Sequence, residues 1–143
     1  MFDSSARRVA SAPFGGKTPV DGRTLHFEMI DSLAQLAEAR AWISEALDGC
    51  GVRVDDAALL VTELLSNAIR HAGTTAELVV TIDRDHIRLA VSDRSGDAPV
   101  VSSRPDADGG YGLRLVETVS ARWGWQPTAD GKTVWCDLAR APT

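Results

Sequence analysis

Leu59-Leu60-Val61-Thr62-Glu63-Leu64-Leu65-Ser66-Asn67-Ala68-Ile69-Arg70-His71-Ala72 is the stretch on which the reading of this chain turns. On a helix of 3.6 residues per turn, Val61, Leu64, Leu65, Ala68 and Ala72 share one broad apolar face, with Ile69 at its margin. Glu63, Ser66, Asn67 and Arg70 gather on the opposite side, because spacings of three, four and seven superpose on a helix. The first face belongs to a core. The second sets a carboxylate and a carboxamide one turn apart, a pattern that is ordinarily just solvated surface. It also has a chemical use. An amide oxygen suits Mg²⁺, which takes few protein ligands and fills its shell with water and phosphate oxygens. A carboxylate one turn away can orient an attacking hydroxyl and accept its proton.

Working outward, the 143 residues make one domain. A formal net charge of −5 argues against a sequence-independent grip on nucleic acid or on an anionic membrane. No apolar run is long enough to span a bilayer and the N-terminus lacks a signal-peptide core, so a cytoplasmic location is expected. Cys50 and Cys136 form no framework and no metal-ligand spacing.

Residues 1–22 are rich in Ser, Ala, Gly and Pro without a sustained period and read as a loose leader, followed by a single domain over 23–140. Gly16-Lys17-Thr18 imitates the end of a phosphate-binding loop, but Ser11 stands where its first glycine belongs. Leu25 to Ile30 alternates as a strand, with Leu25, Phe27 and Met29 on one side. Ser32 and Gln35 fit a capping box for a helix whose stripe is Leu33, Leu36, Ala37, Ile43 and Leu47, stopped at Asp48-Gly49-Cys50-Gly51. Trp42 and Ile43 lie near that stripe and suggest a homodimer through the first strand and first helix. Asp55 is the expected cap of the Glu63–Asn67 helix.

Two period-two runs, Leu78 to Ile82 and Ile87 to Val91, form a hairpin across Asp83-Arg84-Asp85-His86. A long loop without period, Gly96 to Gly110, separates it from a short helix opened by Gly112. Trp123 to Pro127 and Lys132 to Leu138 close the chain as a second hairpin, turned at Asp130-Gly131. Strand, two helices, hairpin, helix, hairpin is the order of an α/β two-layer sandwich, with helices on one face of a largely antiparallel sheet.

Two further places can carry chemistry. Asp93, at the exit of an apolar strand and before Arg94-Ser95-Gly96, can accept a hydrogen bond from an exocyclic amine, or simply close a turn. Gly109-Gly110-Tyr111-Gly112 precedes a helix, where backbone N–H groups can approach phosphate oxygens.

Glu-x-x-x-Asn on a helix, Asp-x-Ser-Gly after a strand and Gly-x-Gly-Leu opening a helix, in that order, resemble the GHKL ATPase superfamily with its Bergerat ATP-binding fold. The runs Val61 to Ala72, Gly112 to Val116, Arg122-Trp123-Gly124 and Gly131 to Trp135 are similar to the anti-sigma-factor serine kinases within it. The resemblance implies ATP and Mg²⁺ as cofactors. It implies Asn67 as the Mg²⁺ ligand, Glu63 as general base, and Asp93 as reader of the adenine amine. Gly96, Gly110, Gly112 and Leu113 would line the nucleotide site, with Asp97 to Gly109 as a lid and Thr133 supporting the adenine carboxylate. The implied partners are an anti-sigma-factor antagonist, a sigma factor and a second copy of the chain. Ser95 and Asp97 stand where the superfamily's first glycine box has glycine, and Tyr111 where an Arg is frequent. Those departures point to an alternative, a non-catalytic regulatory module of the same fold with weak or no nucleotide binding.

Overall fold

The computed structural model describes residues 6–8, 23–30, 32–72, 75–96 and 113–141. Its elements are β1 (Ala6–Arg8), β2 (Arg23–Ile30), α1 (Leu36–Ala46), α2 (Val54–Asn67), β3 (Ala76–Ile82), β4 (His86–Asp93), α3 (Leu113–Val119), β5 (Arg122–Pro127) and β6 (Lys132–Ala139). The strands form one sheet in the order β1-β2-β3-β4-β6-β5, and every neighbouring pair is antiparallel. β1 falls inside the stretch expected to be loose: Ala6, Arg7 and Arg8 pair with Phe27, His26 and Leu25. The remainder of the leader lies outside the described residues.

Alternation decides which face of the sheet is covered. Leu78, Val80 and Ile82 of β3, Ile87, Leu89 and Val91 of β4, and Val134, Cys136 and Leu138 of β6 point into one apolar core. From the helices come Ala39, Trp42, Ile43 and Leu47, then Ala57, Leu60, Val61, Leu64, Leu65 and Ala68, then Leu113 and Val116. α2 lies centrally, touching α1, α3, β4 and β6. Leu60, Val61 and Leu65 are fully buried. Each such side chain contributes about 1.5–3 kcal/mol, which is why this helix orients the others.

Local chemistry explains most boundaries and corrects three expectations. Gln35 Oε1 accepts the Ser32 N–H at 3.3 Å, one half of the capping box, ahead of a 3₁₀ turn at Leu33–Gln35 that leads into α1. Ala37 is exposed, and Ala39 and Trp42 take the inward positions beside Ile43 and Leu47. Trp42 packs on Phe27 with ring centroids 5.1 Å apart, so its apolar surface is used within the subunit and offers no reason for a dimer. Gly49 and Gly51 take φ of +77° and +83°, the left-handed conformation in which glycine ends a helix without strain. Asp55 does not cap α2. Arg53 holds the N-cap position without a side-chain bond, and Asp55 and Asp56 lie in the first turn, where their charge favours the helix N-terminus.

A candidate nucleotide site at the end of α2

Glu63 and Asn67 occupy the last turns of α2, and the helix itself settles the polar residues around them. Thr62 Oγ1 donates to the Ala58 carbonyl at 2.8 Å, and Ser66 Oγ to the Thr62 carbonyl at 2.7 Å. Asn67 differs. It is only 9% exposed, and among the described residues it makes no bond back to its own helix of the kind Thr62 and Ser66 make. Glu63 is partly buried one turn earlier on the same face. Directly after Asn67 the helix widens into a π turn, Ala68–Ala72, that packs against β4. Such turns are frequent at functional sites. Nothing in Ala-Ile-Arg-His-Ala signals this one.

β4 delivers Asp93 to the same layer. The side chain follows Val91 and Leu89 onto the helix side of the sheet, and the residue is 6% exposed. Its Oδ1 accepts the Ser95 N–H at 2.8 Å, closing an Asx turn over Arg94. Its other partner is Lys132, whose Nζ lies 3.2 Å from Oδ1 and 3.1 Å from Oδ2. Lys132 stands opposite Asp93 in the β4–β6 register, on the same face. Gly131 makes this alignment possible: a Cβ there would lie 2.0 Å from the Asp93 carbonyl oxygen, so only glycine lets the two backbones touch.

That register corrects the role expected of Thr133. Thr133 follows Trp135 and Asp137 onto the outer face, and its hydroxyl lies 2.8 Å from that of Ser92, across the sheet from the Asp93 carboxylate. The side chain at the carboxylate is Lys132. The pleat carries the signal, since a residue directly opposite Asp93 in a closing hairpin must share its face. Gly96 is exposed, and a Cβ there would meet nothing within 4 Å, so the fold itself does not demand a glycine. Leu113, the first residue of α3, is fully buried where α3 packs on α2. Gly110, Gly112, Tyr111 and the loop from Asp97 to Gly109 lie outside the described residues.

The outer face holds a second buried carboxylate. Asp137 accepts Arg88 Nε at 2.7 Å and Nη2 at 2.9 Å, and Arg122 Nε at 2.7 Å. Burial pushes its pKa up, but the hydrogen bonds from Arg88 and Arg122 more than offset this and hold the carboxyl below its ordinary range. The Arg88 guanidinium also lies 3.9 Å from the Trp135 ring centroid. Next to it on the core side, burial foremost and the Asp137 charge second push the Cys136 thiol up to about 12, which keeps it protonated and unreactive at neutral pH.

Residues 30–137 match the family model described as the histidine kinase-like ATPase domain. The chain belongs to that family. The helix-borne Glu63 and Asn67, and Asp93 at the end of β4, all fall within the matched part of this histidine kinase-like ATPase domain. Among solved structures, the fold is similar to the RsbU and RsbW domains of Rv1364c from Mycobacterium tuberculosis, with a TM-score of 0.58 and 18% sequence identity. That likeness covers 85% of this chain, which spans 35% of the other. No curated protein matches the chain. No helix among the described residues is long and apolar enough to cross a membrane.

Proposed function

We propose that this histidine kinase-like ATPase domain is a protein serine kinase and anti-sigma factor: it phosphorylates an anti-sigma-factor antagonist from ATP and, free of it, sequesters a sigma factor. The observation that carries the nucleotide part is the pairing, at the end of α2, of Asn67, only 9% exposed, with the partly buried Glu63 one turn earlier on the same face. Asn67 would hold Mg²⁺ through its neutral amide oxygen, a ligand type that suits this ion. When bound, Mg²⁺ neutralises charge on the phosphates during transfer. Asp93 accepts the adenine amine. Glu63 takes the proton of the substrate serine as its oxygen bonds to the γ-phosphorus, the bond to the β-phosphate oxygen breaks and ADP leaves. The kinase type and its partners follow from the motif resemblance, which also implies a homodimer; light scattering that returns a monomer would remove the dimer.

Glu63→Gln tests the chemistry, because it preserves size and loses the base. ATP binding is expected to hold while transfer to the antagonist falls about 10²–10⁴-fold. Transfer at the wild-type rate would leave α2 as scaffold only. A second reading has its own observation. Asp93 already holds an ammonium, from Lys132, which suits a regulatory module that binds nucleotide weakly and acts by partner contact.

A further inference from the structure

We infer that Lys132 is an internal competitor for the base-reading carboxylate, standing in for the exocyclic amine of a nucleotide and thereby setting the affinity of the site. The inference rests on the nucleotide reading of Asp93 above. Lys132 Nζ bridges the two oxygens, 3.2 Å from Oδ1 and 3.1 Å from Oδ2, while the Ser95 N–H takes a further position on Oδ1. A carboxylate offers about four lone-pair sites, and three contacts already occupy this one. The side chains of Lys132 and Asp93 are 5% and 2% exposed, so neither charge can turn to water when the other is displaced. An amine entering the site must therefore share the carboxylate with the ammonium or dislodge it, and the ammonium has nowhere better to go. Contact between Gly131 and the Asp93–Arg94 backbone holds Lys132 in this register. The competition is thus built into the hairpin.

The expected sign runs against simple electrostatics. Removing a cation from the site of an anionic ligand should weaken binding; removing a competitor should tighten it. Calorimetric titration of ADP with Mg²⁺ into the wild type and Lys132→Met separates the two. A diphosphate of purine riboside, which lacks the amine, serves as second ligand. Lys132→Met is expected to bind ADP about 10–100-fold more tightly, the factor for one regained charge-assisted hydrogen bond, and to leave the amine-free analogue nearly unchanged. Lys132→Arg keeps the competing charge and should bind ADP like the wild type. If circular dichroism shows Lys132→Met unfolded, Lys132→Thr replaces it. No gain for ADP, or an equal gain for both ligands, overturns the competition while leaving nucleotide binding intact. Absence of binding to every variant instead overturns the nucleotide reading and this inference with it.

Discussion

Two buried carboxylates sit on opposite faces of one sheet, and they are held differently. Asp137, on the outer face, is gripped by a bidentate Arg88 and by Arg122, with every contact between 2.7 and 2.9 Å. Asp93, on the helix side, has one backbone N–H and a single ammonium at 3.1 and 3.2 Å. A guanidinium fork matches a carboxylate edge and fixes it. An ammonium is a point charge without that planar fork, so it holds the carboxylate without fixing its edge. The outer cluster therefore locks β4, β5 and β6 together, whereas the inner pair leaves a carboxylate on the helix side of the sheet held by one ammonium and one backbone N–H.

The contrast can be broken at either end. The largest stability loss is expected for Asp93→Ala, because Lys132 would stay buried and unpaired; about 4–5 kcal/mol in denaturant unfolding is the scale. Asp137→Ala should cost less, about 3 kcal/mol, since the Arg122 side chain is 62% exposed and can take up water. Equal losses would mean that the two pairs are equivalent. Gly131→Ala forces the turn away from the Asp93 backbone and should cost about 1–3 kcal/mol. It should also loosen the Asp93–Lys132 contact while the Asp137 cluster persists. The smallest effect is with pH. Asp137 has a depressed folded pKa, so its contribution is complete above the unfolded value of about 3.9. It is lost as pH falls through the folded value. Acid unfolding of Asp137→Asn should lack that component, and an unchanged profile would deny the Arg88 and Arg122 contacts a role.

Much of this was legible in the chain, for identifiable reasons. The core face of α2 follows from strict 3.6-residue spacing at Val61, Leu64, Leu65 and Ala68, and both hairpins follow from period-two alternation. What escaped depended on tertiary contact. Trp42 reads as spare apolar surface until Phe27 is seen against it. Asp55 has the chemistry of a cap, but the helix begins one residue before it, at Val54. Thr133 has the right functional group on the wrong face of the pleat, and the charge that reaches Asp93 comes from Lys132, whose burial no local pattern announces. The π turn after Asn67 has no sequence signature at all.

The central claim, that Asn67 and Asp93 form a magnesium-dependent nucleotide site distinct from the structural cluster at Asp137, is tested most directly by one titration. ATP is added with and without Mg²⁺ to folded wild type, Asn67→Ala, Asp93→Asn and Asp137→Asn. Binding is expected for the wild type and Asp137→Asn alike. It should weaken for Asp93→Asn, and lose its dependence on Mg²⁺ for Asn67→Ala. No heat from the folded wild type at millimolar ATP, or an undiminished magnesium dependence in Asn67→Ala, would contradict the account.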